Sequence, residues 1–424
     1  VFKVDSVEIT GFWGVKRAKS AFLQDVNIII GKNGTGKTTF MNILHGVLAV
    51  DMDVLYDNSF HSATIRLVNG KQTRTIRAER KEAQAQFPII EYHISNRRFV
   101  ATLLGGDERV LPLAMRRRAQ EESLKIKSEL GKLVSVASLS VYRIGGDVDP
   151  EARGDRNQRR YQSTVDARLT SLMLRLTQYQ LELSNQARAI STRLQHDVLS
   201  SLLYSPERAK NAGYRLDFDA EAEKLKLISA YRQLGVSGTE ITKKIQEHIA
   251  TVSNTVKAIE LISKNPSATN IETSKVEFGA LEAYKLTSTV VQMSLEAESK
   301  TTAIFSQISL FLKTLTTFIP DKSFLFSAGE LVVSNGGTLP LSKLSSGEKQ
   351  LLILFIESLL QRKEPYIFLA DEPELSLHIS WQRNIISAIR SINPNAQIIV
   401  ATHSPEIAGK FRDKILDMED ILRG

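Results

Sequence analysis

Cysteine is missing from all 424 residues, which excludes disulfides and thiolate metal sites and suits a reducing cytoplasm. Missing too is any run of about 18 apolar residues, the length a membrane-spanning helix needs. The first residues alternate like a strand and do not form a charged start with an apolar stretch behind it, so no signal peptide is expected. These absences point to a cytoplasmic protein with no membrane partner.

What is there begins with charge. Lys and Arg number 55 against 47 Asp and Glu, a formal net charge of +8. The excess is uneven: Arg97, Arg98, Arg109, Arg116, Arg117, Arg118, Arg153, Arg156, Arg159 and Arg160 fall in one stretch. Such a stretch is either a solvated basic face or a surface for DNA or an acidic protein, and both readings stay open.

The length suits about two or three domains. Residues 1–160 carry mainly strand patterns. Residues 4–9 alternate apolar with polar, and residues 27–30 end a second strand in a short apolar run. Phe40, Ile43, Leu44 and Val47 form a helical stripe behind it. Residues 63–68 and 71–78 flank Asn69-Gly70, a dipeptide that favours a tight hairpin turn. Residues 89–95 suit another strand and residues 139–143 a further one.

Residues 161–322 change character. Leu169, Leu172, Leu176, Tyr179, Leu183 and Ile190 keep the spacing of a helix packed along a seam, as do Ile241, Ile245, Ile249, Val252, Val256 and Ile259. A third helical stretch covers roughly residues 281–318, and Pro206, Gly235 and Pro266 mark breaks. This middle reads as an oligomerising or partner-docking arm. Within residues 323–424, segments 366–370 and 397–401 are short apolar runs of the kind that fill buried parallel strands. The expected fold class is α/β, with a core split in sequence by a mainly α-helical, coiled-coil-like insertion.

Four motifs carry chemistry. Gly31-Lys32-Asn33-Gly34-Thr35-Gly36-Lys37-Thr38-Thr39 matches G-x-x-x-x-G-K-[ST] between a strand and a helix. Its glycines let backbone N–H groups turn inward around phosphate oxygens, and the helix N-terminus adds a favourable dipole. Lys37 would reach the β- and γ-phosphates of ATP, and the Thr38 hydroxyl would ligate Mg2+. Far along the chain, the apolar run Ile367-Phe368-Leu369-Ala370 ends in Asp371-Glu372-Pro373. Two carboxylates at a strand's C-terminal end suit an ion holder, Asp371, and a water-polarising base, Glu372. Between them stands Leu344-Ser345-Ser346-Gly347-Glu348-Lys349-Gln350, before an apolar helix. Ser346, Gly347 and Glu348 read as a γ-phosphate-binding group at a helix N-terminus, while Ser345 and Glu348 alone also have capping-box spacing. Last, Val400-Ala401-Thr402-His403-Ser404-Pro405 puts a histidine just past a strand.

This order resembles the ABC-type ATPases of the SMC, RecF and OLD branch, and Asp371-Glu372-Pro373-Glu374-Leu375-Ser376-Leu377-His378 looks like their AAA15/21-type members. The resemblance covers about 200 residues specifically; the helical middle matches only in kind. It implies that Ser345 to Gln350 is the signature, that Glu374 to His378 is a D-loop, and that His403 is the switch histidine near γ-phosphate and water. It also implies a head-to-head dimer, or a higher oligomer, in which Ser346 and Gly347 serve the neighbour's ATP. No clear Q-loop glutamine stands out; Ser95-Asn96-Arg97 and Tyr142-Arg143 are the candidate strand ends, and Phe12, Trp13 and Lys16 the candidate adenine contacts.

OLD nucleases carry a Toprim domain behind the ATPase, and the 21 residues after His403 are too few for one. The resemblance therefore runs on to the ATPases of two-gene anti-phage systems, PARIS first and Septu next. It implies a separate Toprim or HNH nuclease effector and a trigger that is an acidic phage-encoded protein. A RecF- or SMC-like repair ATPase binding duplex DNA is the competing implication.

Overall fold

The computed structural model describes residues 1–81, 87–104, 112–139, 164–201, 218–264, 277–375 and 377–423. The chain divides into two compact units. One comprises Val1–Gln178 with Leu310–Gly424, and the other Tyr179–Ser309.

The first unit is built on two main sheets. An antiparallel sheet has the order β2-β1-β4-β5-β6-β7, from β1 (Lys3–Phe12), β2 (Lys16–Ala21), β4 (Ser62–Asn69), β5 (Gln72–Lys81), β6 (Ile89–Ile94) and β7 (Arg97–Thr102). A second sheet, parallel throughout, has the order β14-β3-β13-β12-β8, from β3 (Val26–Ile30), β8 (Val136–Leu139), β12 (Tyr366–Asp371), β13 (Ala396–Ala401) and β14 (Ile415–Asp417). Thus strands from both ends of the chain lie side by side, as the split α/β reading expects. Helix α1 (Lys37–Ala49) buries Phe40, Ile43, Leu44 and Val47 in the core shared with Ile9, Ile65, Ile76, Tyr92, Ile367 and Ile399. Helices α2 (Met52–Asp57) and α3 (Leu113–Gly131) add Leu55, Ile126 and Leu130 to the same core. Buried Gln397 on β13 bonds the Val4 N–H at 2.7 Å and the Val4 and Leu23 carbonyls at 2.6 and 2.9 Å. It fastens one sheet to the other while leaving its own polar atoms satisfied.

The strand expected at 139–143 is observed three residues earlier, as β8, where Val136 and Ala137 face apolar neighbours; residues 140–143 lie outside the described ones. The pattern 89–95 is β6, and the Asn69-Gly70 hairpin forms with Gly70 at φ 56. A short antiparallel sheet, β9 (Ser323–Ser327), β10 (Glu330–Ser334) and β11 (Thr338–Leu339), precedes the signature helix α8 (Ser346–Leu360).

The junctions differ from the boundaries 160/161 and 322/323. They fall inside two long helices, α4 (Thr164–Ser201) and α7 (Phe278–Phe318). The reason is packing: Arg168 on α4 bonds Glu357 of α8 at 3.0 Å, Lys349 pairs with Asp166 at 2.8 Å, and Phe318 of α7 meets the Phe355 ring edge-on. The end turns of both helices therefore belong to the first unit. Within the second unit, α5 (Ala220–Gln233) and α6 (Thr239–Lys264) close around Leu227, Ala230, Ile245, Ile249 and Val291. The seam residues Ile245, Ile249, Val252 and Val256 are buried, and the break at Gly235 is real, with φ 82 between the two helices. Pro206 and Pro266 lie outside the described residues.

Candidate active site

Strand register assembles the site. Asp371 pairs with Ala401, and Ala401 with Ile29, so β12, β13 and β3 end in line. The residues just past these strands therefore meet at one edge: Glu372, Thr402-His403 and the phosphate loop. Ligands of parallel α/β sheets bind at such C-terminal edges. The Glu372 N–H bonds Ala401 O at 2.8 Å and the Thr402 N–H bonds Ile29 O at 3.1 Å, carrying the ladder past the strands.

The loop from Gly31 to Thr39 turns through left-handed Gly34 and Gly36, at φ 78 and 97. A Cβ on Gly36 would lie 2.9 Å from the Trp13 ring, so glycine is required there twice over. Asn33 and Gly34 form the exposed tip, and the Thr35 hydroxyl donates to Lys32 O at 2.8 Å. Gly36 caps α1 without any side-chain bond, which leaves the first helical N–H groups of Lys37, Thr38 and Thr39 for an anion. The Lys37 ammonium bridges the loop, donating to Gly31 O at 2.9 Å and Lys32 O at 3.1 Å. Burial lowers its pKa, against the pull of Glu372, Asp371 and Glu374.

Asp371 stands opposite. Burial pushes its carboxyl above the usual carboxylate range; a hydrogen bond from Thr38 and the charge of Lys37 oppose that, and Glu372 and Glu374 add to it. Its Oδ1 is buried with no hydrogen-bond partner among the described residues. A buried oxygen with free lone pairs beside a threonine hydroxyl fits a hard divalent cation. No group of three or more His, Cys, Asp or Glu able to cage a metal occurs among the described residues, so the remaining ligands of such an ion would be phosphate and water oxygens. Glu372 has φ 48, a left-handed conformation that costs a non-glycine residue about 1–2 kcal/mol. Such outliers concentrate where function over-determines the backbone. His403 Nε2 lies 3.5 Å from Glu372 Oε1. A cleft of about 850 Å³ opens beside the loop, lined among others by Gly31, Lys32, Thr402, His403, Ser404 and Arg412.

The signature segment folds as a capping box. Glu348 N–H bonds Ser345 Oγ at 3.3 Å, and Ser345 N–H bonds Glu348 Oε2 at 2.8 Å. Lys322 occupies the other Glu348 oxygen at 2.6 Å. Burial raises the Glu348 pKa, but Lys322 and Ser345 outweigh it and hold the carboxyl below its usual range. Both Glu348 oxygens are thus engaged in building the helix start, one by the Ser345 N–H and the other by Lys322. Ser346 stays exposed beside buried Gly347. No hydrogen bond or ion pair among the described residues joins Ser346 or Gly347 to the chain's own phosphate loop.

Other candidates sort clearly. Phe12 is core, fully buried. Trp13 is 42% exposed, lies against Gly36, donates to Thr39 Oγ1 at 3.4 Å and has the Lys16 ammonium over its ring. His378 caps a short helix, α9 (Ile379–Gln382), by accepting from Ser380 N–H at 3.3 Å. Ser95-Asn96-Arg97 forms the β6–β7 turn of the antiparallel sheet; Tyr142 and Arg143 lie outside the described residues, as does Ser376. In the basic stretch, Arg97 pairs with Glu129 at 2.8 Å, Arg98 with Glu91 at 2.9 Å and Arg118 with Glu122 at 3.1 Å. Arg109, Arg153, Arg156, Arg159 and Arg160 lie outside the described residues. Glu374 holds Thr402 through 2.6 Å, a link between segments 28 residues apart that spacing could not reveal.

A phosphate loop facing an acidic strand end across a parallel sheet defines a P-loop nucleotide-binding protein. The chain belongs to the AAA ATPase domain family (AAA_15), whose model matches residues 3–408. A stretch of 85 residues is 36% identical to a Vibrio cholerae protein named Retron Vc95 probable ATPase, covering 18% of this chain and 16% of that one. Another of 88 residues is 38% identical to Retron Ec83 probable ATPase of Escherichia coli, again over 18% and 16%. The chain therefore matches only a small part of these relatives. The fold is similar to the Smc head domain of Pyrococcus furiosus, solved with an extended coiled coil and bound to the C-terminal domain of ScpA, at 14% identity and TM-score 0.44 over 96% of this chain and 92% of that one. The Smc head of Pyrococcus yayanosii gives 15% identity and TM-score 0.42 over 98% and 95%. No described helix is long and apolar enough to cross a membrane.

Proposed function

We propose that this chain is a switch-like ATPase that binds Mg-ATP between two copies of itself. The observation that carries the reading is the convergence of Lys37, Asp371, Glu372 and His403 at one sheet edge. Lys37 and the open N–H groups of α1 hold the phosphates, with Thr38 and Asp371 holding Mg2+, which would neutralise charge on the β- and γ-phosphates. Glu372 accepts the proton of the attacking water, and His403, within reach of Glu372, orients it. Trp13 offers a face for the adenine. Exposed Ser346, separate from the chain's own loop, supports a site completed by a neighbour's signature.

Mixed subunits test this. Lys37→Ala and Ser346→Arg chains, each inactive alone, should regain turnover when mixed, because one composite site per heterodimer is intact. The double variant mixed with wild type makes no intact site in its heterodimers. Absence of complementation by the first pair would refute the shared site.

The biological role we propose is a cytoplasmic sensor or scaffold in bacterial anti-phage defence. It would control a separate Toprim-like or HNH nuclease and respond to an acidic phage protein. The partial identity to retron ATPases supports defence, and the likeness of the string from Asp371 to His378 to OLD-type ATPases supports a nuclease partner. The alternative is a DNA-repair ATPase of RecF or SMC type. Salt-sensitive affinity for duplex DNA in a gel-shift titration would favour repair; tight binding of an acidic phage protein without DNA affinity would favour defence.

A further inference from the structure

We infer that Glu374 is a positioning residue that fixes the backbone of the switch loop and so sets His403 against Glu372. One oxygen, Oε1, gathers three donors from three consecutive residues: the Thr402 hydroxyl at 2.6 Å, the His403 N–H at 3.0 Å and the Ser404 N–H at 3.2 Å. A carboxylate is suited to this, since charge-assisted acceptors bind more strongly than neutral ones. The Ser404 N–H also reaches Thr402 Oγ1 at 2.9 Å, so the hydroxyl that Glu374 holds in turn shapes the loop.

The surrounding bonds show what Glu374 adds. Thr402 is already tied to Ile29, at the start of the loop. Farther on, the Ser404 hydroxyl donates to Gln382 Oε1 at 2.7 Å, and Gln382 Nε2 returns to Leu377 O at 3.0 Å. Arg383 and Glu406 join the same two segments at 2.5 Å. Among the described residues, only the Glu374 carboxylate bonds the His403 backbone from the D-loop side. The His403 imidazole rests 3.5 Å from Glu372, so a shift of that backbone moves it directly. The segment after Asp371 and the segment after β13 thus become one mechanical unit. A change in the D-loop, as on meeting a second subunit, is passed to His403 through Glu374.

The kinetic consequence rests on the ATPase reading; the structural one does not. Amide hydrogen exchange of His403 and Ser404, whose N–H groups Glu374 accepts, with steady-state turnover, tests both in the intact chain. Glu374→Ala should speed exchange at those amides with the rest of β13 protected as before, and Glu374→Gln, which keeps the acceptor oxygen, should restore most of the protection. In turnover, Glu374→Ala should lower kcat about a hundredfold, the loss that about 1 Å of misplacement brings, while KM for ATP stays within about twofold. Unchanged exchange in the alanine variant would overturn the assignment. So would a glutamine variant with wild-type exchange but the alanine variant's kcat, because the carboxylate would then act on turnover otherwise than through the backbone of the loop. A wild-type chain with no ATP turnover would defeat the hydrolytic reading and leave exchange to decide Glu374 by itself.

Discussion

His403 and Glu372 face each other at 3.5 Å because their strands are parallel neighbours in register, with Asp371 opposite Ala401. Each residue is the first or second after its strand, so the sheet brings the pair together, and the bonds between Glu374 and the loop after β13 hold His403 in place there.

That geometry makes Glu372→Gln informative. The amide keeps the shape but cannot accept water's proton. Turnover should fall by about 10²–10⁴-fold, the usual worth of a general base. ATP binding should persist, since Lys37 and the loop are untouched, and ATP-bound dimers should accumulate in analytical ultracentrifugation. Unchanged turnover would remove Glu372 from the base's role.

Trp13 is the candidate for the adenine. Stacking of a base on an aromatic ring is worth about 1–3 kcal/mol, so Trp13→Ala should weaken ATP binding roughly tenfold or more. Affinity for inorganic triphosphate should not change, and calorimetry with both ligands separates the two. ATP should also change the emission of Trp13 and not of Trp381, whose indole is bonded to Phe318 O at 2.7 Å. Equal losses for both ligands would mean that Trp13 only supports Gly36.

The phosphate loop, the acidic strand end and the histidine were legible because each is a contiguous string whose spacing is set by a strand and a turn. The split core was legible too, since apolar runs at both ends of the chain need partners. What escaped depends on distance in sequence. Ser345 and Glu348 had capping-box spacing, but only Lys322 shows that both Glu348 oxygens are occupied. The unit boundaries escaped because α4 and α7 continue as unbroken helices past the point where Arg168 and Phe318 stop packing on α8. In the arginine stretch the Arg118–Glu122 pair lies one turn apart on α3 and its spacing could be read, whereas the partners of Arg98 and Arg97, Glu91 on β6 and Glu129 on α3, depend on the fold.

Glu91 supplies a pH test. Bonds from Lys81, then Arg98 and His93, outweigh burial and bring its carboxyl from the usual 4.5 down to about 2. A depressed folded pKa adds stability above the unfolded value, and that stability is lost as pH falls through the folded one. Glu91→Gln should therefore melt below wild type at pH 7, with the gap closing between about 4.5 and about 2. Thermal melts across that range decide it, and a gap that does not vary with pH would assign the loss to packing.

Asp371 should behave in the opposite sense. Burial raises its pKa, with Thr38 and Lys37 only partly opposing, and its Oδ1 has no partner among the described residues. A raised folded pKa means the fold prefers the protonated acid, so the ionised form costs stability at neutral pH and the cost is relieved as pH falls through the folded value. Asp371→Asn removes the charge and keeps the shape. Without nucleotide, this variant should melt above wild type at pH 7, and its advantage should shrink as the pH is lowered. With Mg2+ and ATP the order should reverse, because wild type gains the ion's binding energy and the variant does not. A residue kept at a cost to the empty fold and repaid by its ligand follows the usual trade between stability and activity. A variant that melts lower than wild type under both conditions would mean that the carboxylate is a structural support and not the holder of the ion.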